Sequence, residues 1–192
     1  PDGDPFAPQT TYALGGNTKI WGAALERMRE KDFGEVPLQD GVSPSWPFDY
    51  ASLAPYYDAA EALYQVHGQA GVDPTEPSRS APFPHAPKPL LPFLEPLRDG
   101  LQRQGCQPYD LPLSWSTDPE DPSGDAQIFG LNQADPTTLE TRALARVTRL
   151  HTSPDGREVK GVEAEVAGDL WLFSADLVVL AAGAINSAAI LL

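Results

Sequence analysis

Residues 177–192 read LVVLAAGAINSAAILL, and this stretch carries the clearest indication of the fold. Its first five residues, 177–181, are all apolar, which is typical of a strand buried on both faces, as in a parallel sheet. The small residues 182–184 predict a tight turn. A helix is expected from Ile185, with Asn186 or Ser187 as the cap. The stretch therefore predicts a buried strand, a turn and a helix N-terminus in succession.

The turn between that strand and that helix is a candidate ligand contact. Free backbone N–H groups and the helix dipole favour a phosphate or another polar ligand at such a position. In open α/β sheets, ligands bind beyond the carboxyl ends of the strands. The small side chains of Ala182, Gly183 and Ala184 would let a ligand approach the backbone. A plain strand–turn–helix crossover explains the same residues, and the local sequence does not separate the two interpretations.

Upstream of this stretch, the sequence predicts an antiparallel meander. Residues 138–151 alternate and are rich in Thr, Leu, Val and Arg, and residues 158–166 alternate again. A third strand is expected over residues 170–174. The turn signal Asp155-Gly156 lies between the first two strands, so we expect these strands to pair antiparallel across it.

Residues 14–24, LGGNTKIWGAA, form a second distinctive segment. The adjacent glycines Gly15 and Gly16 remove the steric bar to positive φ and to close approach of another group to the backbone. The segment matches neither the G-x-G-x-x-G dinucleotide fingerprint nor a phosphate-binding loop. We expect a buried loop that passes into a short helix. A double glycine is also common in plain turns, and Trp21 is equally explained as a core residue.

Two helices are predicted between these segments. The first begins near Asp49 or Ser52, either of which can cap it, and Pro55 is expected in its first turn. The second covers residues 93–103, where apolar side chains recur on one face. Residues 73–92 are rich in proline and are expected to form a loop or an extended arm.

The composition excludes several classes of function. The formal charge is −14, from 27 acidic and 13 basic side chains, which argues against a nucleic-acid partner. No apolar run is long enough to span a bilayer, so no membrane span is expected. Cys106 is the single cysteine and excludes an intrachain disulfide. His67, His85 and His151 are widely spaced, show no metal-ligand pattern and are expected to be ordinary surface or loop residues.

Four blocks of sequence together resemble the glucose–methanol–choline (GMC) family of oxidoreductases. They are LGGNTKIWGAALERMREKDF at 14–33, WPFDYASLAPYYDAAEALYQVHG at 46–68, ALARVTRL at 143–150 and ADLVVLAAGAINSAAILL at 175–192. Their order and spacing agree with the family over most of the chain. The combination is specific, although no single block is.

The resemblance implies a flavin adenine dinucleotide (FAD) cofactor and oxidation of a small-molecule alcohol to a carbonyl by hydride transfer to the flavin. The implied cofactor-binding residues are Gly15, Gly16, Asn17, Thr18, Trp21 and Gly22 along the flavin, Val147 at the adenine, and Ala182, Gly183 and Ala184 near the ribose or pyrophosphate. Ile20 stands where some relatives carry a flavin-linking histidine, which implies noncovalent binding. No metal is expected.

In that family the dinucleotide fingerprint precedes the matching region and the catalytic histidine follows it. We therefore expect an internal fragment that is inactive by itself and contains no catalytic residue; none of the three histidines inherits the role of base. Many bacterial relatives also carry a cysteine-containing motif ahead of the sequence that resembles residues 124–127. That motif is missing here: either this protein lacks it, or residues are missing between Trp115 and Asp125, which the loop-like flanks favour.

The expected architecture is α+β / α/β, a partial FAD-binding domain in three regions. Residues 1–45 hold the glycine segment and a loop, 46–136 a helical and irregular substrate-side region, and 137–192 the meander and the strand–turn–helix. A fragment whose buried strand lacks neighbours is expected to self-associate. A cytoplasmic location is expected. Two alternatives remain open: a noncatalytic α+β binding module whose proline-rich arm contacts a protein, and another flavoprotein class such as an amine oxidase.

Overall fold

A computed structural model describes residues 10–116 and 124–192 of the chain. The chain divides into two compact units, an N-terminal unit that ends at Asp135 and a C-terminal unit that begins at Pro136. The N-terminal unit contains β1 (Val36–Leu38), β2 (Gly41–Ser43), α1 (Tyr50–Leu63), β3 (Val66–His67), α2 (Glu95–Arg103), β4 (Leu113–Ser114) and α3 (Ala126–Phe129). The C-terminal unit contains β5 (Ala145–Thr152), β6 (Val159–Val166), β7 (Asp169–Phe173) and α4 (Gly183–Leu191).

The described strands form three small antiparallel sheets. β1 pairs with β2, β3 pairs with β4, and β5, β6 and β7 form a meander in that order. Helices and short sheets are therefore mixed in the N-terminal unit, whereas the C-terminal unit is a three-stranded sheet followed by one helix.

Helix α1 begins where its capping residue predicts. The Asp49 carboxylate accepts a hydrogen bond from the backbone N–H of Ser52 at 2.9 Å, which confirms Asp49 as the cap. Because the helix begins at Tyr50, Pro55 lies in its second turn, and the expectation that Pro55 sits in the first turn is wrong. Proline there has no N–H to donate to the carbonyl of Ala51.

The second helix and the proline-rich arm agree with the sequence pattern. A short 3-10 helix, Pro92–Leu94, leads directly into α2, so the helix predicted over 93–103 is present with its first two residues in 3-10 geometry. Up to the start of this 3-10 helix at Pro92, the arm contains no helix and only an isolated bridge at His85. Ion pairs fasten the arm to the rest of the N-terminal unit: Arg29 contacts Asp73 at 2.5 Å, and Arg79 contacts Glu61 at 2.9 Å.

Aromatic rings form much of the core of the N-terminal unit. Phe33 and Tyr50 are buried and lie edge to face, with ring centroids 6.3 Å apart. Phe48 packs on Phe33 at 6.2 Å. Val66 and Phe129 are buried as well. This core supports α1 and the segment that leads into it.

The C-terminal sheet confirms the predicted pairing of its first two strands. β5 and β6 are antiparallel, and the chain reverses between them where Gly156, at φ 69°, donates its N–H to the Ser153 carbonyl at 2.8 Å. The predicted extent of the first strand, 138–151, is wrong, because β5 begins only at Ala145. Leu144 adopts a φ of 54°, and that left-handed conformation interrupts an extended strand.

The structure contradicts the expectation that residues 177–181 form a strand buried on both faces. In the C-terminal unit these residues pair with no strand, and Leu177 and Val179 are 78% and 77% exposed. A strand of this kind is buried only when other strands and helices cover it. The described meander ends with β7 and leaves the segment without a strand neighbour in this unit.

Helix α4 also begins earlier than predicted. It starts at Gly183 rather than Ile185, and neither expected residue serves as its N-cap. Instead, the Ser187 hydroxyl inside the helix accepts a hydrogen bond from the backbone N–H of Ala182 at 3.2 Å. Small residues at the start of the helix allow this early entry.

Two further expectations concern a missing segment and a membrane span. The gap expected between Trp115 and Asp125 falls largely on residues 117–123, which lie outside the described residues. Among the residues that are described, every helix is too short or too polar to cross a membrane.

Candidate functional site

The ten residues expected to contact a cofactor belong to both units. The glycine segment, Gly15 to Gly22, lies in the N-terminal unit, whereas Val147 and the 182–184 turn lie in the C-terminal unit.

The double glycine forms a tight left-handed turn into a short 3-10 helix, Gly16–Lys19. Gly15 has a φ of 90° and Gly16 a φ of 55°, conformations that favour glycine over every other residue. The Gly16 N–H donates to the Ala13 carbonyl at 2.8 Å, and the Thr18 N–H donates to the Gly15 carbonyl at 3.2 Å. The expected short helix is present. The expected burial is not, because the segment is half-buried or exposed.

Among the described residues, one side of this turn is open. A Cβ placed on Gly16 would meet no atom of the described residues within 4 Å, and the same holds for Gly22. Asn17 is exposed and accepts a hydrogen bond from the Thr11 N–H at 2.8 Å. The backbone of the turn is therefore accessible to a group that packs against it.

The other side of the turn is fixed to Asp125, a contact that sequence reasoning missed. The Lys19 ammonium donates to Asp125 Oδ2 at 2.7 Å, and the Asp125 side chain is only 1% exposed. Asp125 Oδ1 accepts the backbone N–H groups of Gln127 and Ile128 at 2.7 and 3.1 Å and so caps α3. Burial by itself raises the pKa of Asp125, but the hydrogen bonds from Lys19 and these two N–H groups outweigh it and hold the pKa below its usual value.

Thr18 adds a second link between the turn and α3. Its hydroxyl donates to the Gly15 carbonyl at 2.5 Å and accepts the backbone N–H of Ala126 at 3.0 Å. A Cβ on Gly15 would lie 3.2 Å from the Lys19 side chain and 3.3 Å from Asp125 Oδ1, so this glycine packs closely against the buried side. The turn is thus closed on one face and open on the other.

Trp21 is half-buried and packs against neighbouring rings. Its ring lies edge to face with Tyr64 at 5.7 Å, and Tyr64 in turn lies edge to face with Phe129 at 6.0 Å. These contacts give Trp21 a packing role between the glycine segment and α1.

Val147 and the small-residue turn lie on accessible parts of the C-terminal unit. Val147 belongs to β5, which is an edge strand of the described sheet, and it pairs with Ala164 of β6. The register between these two strands shifts just after Val147. Ala182 to Ala184 are exposed. Gly183 has a φ of 79°, and a Cβ there would meet no atom of the described residues within 4 Å. A ligand could therefore approach the backbone at both places.

A buried polar cluster around Glu61 was also missed by sequence reasoning. Glu61 receives a bidentate hydrogen bond from Arg27, with both distances 2.7 Å, and two more from Arg79 at 2.9 and 3.1 Å. Arg27 also contacts Asp58 at 2.6 Å and the Tyr50 hydroxyl at 3.0 Å. Burial opposes the charge of Arg27, but its hydrogen bonds to Glu61, Tyr50 and Asp58 raise its pKa further above the usual range. Because its charges neutralise one another, we assign this cluster to folding rather than to chemistry.

The three histidines contact one another or a neighbouring carboxylate. His67 is buried and stacks on His85 with ring centroids 4.7 Å apart, which corrects the expectation that it lies at the surface. Burial lowers the pKa of His67, and its Nδ1 lies 2.8 Å from the Ala86 carbonyl oxygen. His151 contacts Glu163 on the neighbouring strand at 3.1 Å. Within residues 10–116 and 124–192, no cluster of ligand-type side chains could hold a metal ion.

Comparison with known proteins identifies relatives among oxidoreductases. The chain is 36% identical over 115 residues to 6'''-hydroxyparomomycin C oxidase of Streptomyces lividus, a match covering 58% of this chain and 20% of the relative. It is 35% identical over 109 residues to paromamine 6'-oxidase of Streptomyces fradiae, covering 56% and 19%. It is 35% identical over 76 residues to 2-methyl-1,2-propanediol dehydrogenase of Mycolicibacterium austroafricanum, covering 38% and 13%. No protein-family model matches the chain.

These matches establish homology to oxidases and to a dehydrogenase. The matched segments amount to at most a fifth of each relative's own length. The relatives' activities therefore reach this chain only as a proposal.

Proposed function

We propose that this chain is part of the FAD-binding domain of a GMC-type flavoenzyme that oxidises an alcohol to a carbonyl compound. The observation that carries the proposal is the glycine turn, whose backbone is open on one face, in a chain 36% identical over 115 residues to an oxidase. The names of the relatives, two oxidases and a diol dehydrogenase, support an alcohol as the substrate class.

The residues of the N-terminal unit fit a flavin in one specific respect. A flat aromatic ring system can approach the backbone most closely where no side chain intervenes, and Gly16 and Gly22 offer such backbone. Asn17 is exposed beside them and can donate or accept hydrogen bonds. In the proposed enzyme, Gly15 to Thr18 lie along the flavin, with Trp21 and Gly22 completing that wall.

The residues of the C-terminal unit fit the rest of the dinucleotide. Val147 lies on an edge strand, which leaves part of the backbone in β5 without a strand partner in this unit and able to bond an adenine. The exposed turn at Ala182, Gly183 and Ala184 opens a nine-residue helix, Gly183–Leu191, where backbone N–H groups favour a phosphate. These four residues are the proposed contacts for the adenine and for the ribose or pyrophosphate.

When bound, FAD supplies the hydride acceptor of the reaction, and the residues described here bind and orient it. The step that also needs a protein group is removal of the hydroxyl proton. None of the three histidines is assigned to it, because in the family that this chain resembles the catalytic histidine follows the matching region. We propose that the base belongs to another part of a longer polypeptide, of which this chain is one segment.

Two glycine variants test the proposed contact in that full-length polypeptide. Gly16→Val places a branched side chain on the open face of the turn and should lower the amount of FAD that copurifies with the protein. Gly71→Val is the matched control, because Gly71 has a positive φ of 76° and equally open surroundings but no proposed cofactor contact. Equal FAD content in both variants and the wild type would show that the glycine turn does not contact the flavin.

The reaction class is tested on the wild-type enzyme. Anaerobic addition of 2-methyl-1,2-propanediol and of amino-sugar alcohols should bleach the visible band of the oxidised flavin, and the carbonyl product should form in equal amount. A protein that contains no flavin would refute the proposal outright. Such a result would leave a noncatalytic binding module as the better interpretation.

A further inference from the structure

We propose that the Lys19–Asp125 ion pair positions the glycine turn for flavin binding, so that Lys19 and Asp125 act as positioning residues without touching the cofactor. The inference rests on the proposed function, since it assigns a task to residues behind the proposed flavin wall. It begins from a contact between side chains 106 residues apart in the chain.

The turn depends on outside support to keep its shape. Two consecutive residues, Gly15 and Gly16, hold positive φ angles, and glycine loses more conformational freedom on ordering than any other residue. Within the turn itself, only a few backbone hydrogen bonds oppose that loss, such as those from Gly16 to Ala13 and from Ile20 to Asn17 at 3.1 Å. A turn that is half-exposed and built on two glycines would otherwise sample several conformations.

Asp125 is a rigid anchor for this turn. Its side chain is 1% exposed, and one oxygen is held by two backbone N–H groups of α3. The other oxygen points to the Lys19 ammonium, at 2.7 Å. Because the carboxylate has no freedom to follow the lysine, the pair fixes the end of the 3-10 helix relative to α3.

Thr18 and Gly15 also attach the turn to α3, on the same side as the ion pair. The Thr18 hydroxyl links the Gly15 carbonyl to the Ala126 N–H. A Cβ placed on Gly15 would lie 3.4 Å from the backbone nitrogen of Gln127 in α3, so Gly15 itself packs close to that helix. All of these contacts lie behind the turn. The open face at Gly16 is consequently presented with a fixed backbone, which lowers the ordering cost of binding a ligand there.

The test compares FAD affinity with stability in the full-length polypeptide. Lys19→Met removes the charge but keeps an unbranched chain, and the lysine side chain is 31% exposed, so the variant should fold. Lys19→Arg restores a cation. Arg98→Gln breaks a different ion pair, Arg98–Asp110 at 2.5 Å with both side chains 31% exposed, and serves as the control. Apoprotein is titrated with FAD, urea unfolding of the apoprotein is measured, and visible circular dichroism reports the setting of the bound flavin.

The expected result is a loss of FAD affinity that stability does not explain. Lys19→Met should weaken FAD binding about tenfold, the scale set by losing one charge-assisted hydrogen bond. It should also alter the visible circular dichroism. Because the Asp125 carboxylate is 1% exposed, the urea midpoint should fall further than that of Arg98→Gln, but the apoprotein should stay folded in the buffer in which FAD is titrated. Lys19→Arg should restore both the affinity and the spectrum.

Three outcomes would overturn the inference. In the first, Lys19→Met binds FAD as the wild type does. In the second, its affinity falls only in proportion to a loss of stability and Lys19→Arg brings no recovery. In both cases the wild type still binds FAD, so the proposed function survives. In the third, the wild type binds no FAD, and the proposed function falls together with the inference.

Discussion

Neutralising Glu61 should destabilise the N-terminal unit strongly. In Glu61→Gln, two arginines, Arg27 and Arg79, lose the carboxylate that accepts four of their hydrogen bonds, at 2.7 to 3.1 Å. The three side chains are only 2%, 6% and 9% exposed, so water cannot replace the lost charge. Asp58 and Glu76 still contact the arginines, which places the expected cost near the low end for a broken buried pair, about 3 kcal/mol.

Urea unfolding followed by tryptophan fluorescence measures that cost. For a chain of this size, a loss of about 3 kcal/mol corresponds to a lowering of Tm by roughly 6–12 °C. Asp110→Asn is the control in the same unit, because it breaks the half-exposed pair with Arg98 and should cost less than about 1 kcal/mol. If Glu61→Gln loses no more stability than Asp110→Asn, the buried cluster is not what fastens the proline-rich arm to α1.

Three further outcomes are expected. Gly124→Ala should lower the free energy of unfolding by about 2 kcal/mol, because its Cβ would lie 2.3 Å from the Ser114 hydroxyl oxygen. Gly100→Ala in helix α2 should instead raise that free energy by about 0.5–1 kcal/mol. Thermal melts that rank the two variants the other way would refute the packing around Gly124. The folded-state pKa of Asp125 lies below its usual 3.8, so its contribution to stability is present above that pH and is lost as pH falls through the lower folded value. Between about pH 5 and pH 2, where carboxylates titrate, the urea midpoint of Asp125→Asn should therefore fall less steeply with pH than that of the wild type. An unchanged slope would contradict this. Finally, the 192-residue chain by itself should form dimers or larger species in light scattering, because its C-terminal unit exposes many apolar side chains; a monomer mass at micromolar concentration would oppose this.

Local signals in the sequence predicted local structure well. Asp49 three residues before Ser52 fixed the start of α1, and Asp155-Gly156 marked the reversal between β5 and β6. Each of these signals acts through hydrogen bonds and backbone angles within a few residues. The double glycine likewise predicted a turn into a short helix, which the structure contains.

Features that depend on distant residues were missed or wrong. The Lys19–Asp125 pair joins residues 106 apart, and nothing in a single sequence links them, although Asp125 ahead of α3 carries an ordinary capping signal. The burial expected for 177–181 failed for a related reason. An apolar run shows that a segment can be buried, but only its neighbours decide whether it is. The proposed division at residue 45 and the cofactor contacts themselves remain predictions.

The central claim is that this chain forms part of an FAD site. The most direct measurement is to purify the full-length polypeptide, release any cofactor by heat denaturation and identify it by chromatography and mass spectrometry. We expect FAD, released without proteolysis because Ile20 stands where some members of the family that this chain resembles carry a flavin-linking histidine. Recovery of no flavin, with the protein folded and incubated with excess FAD, would contradict it.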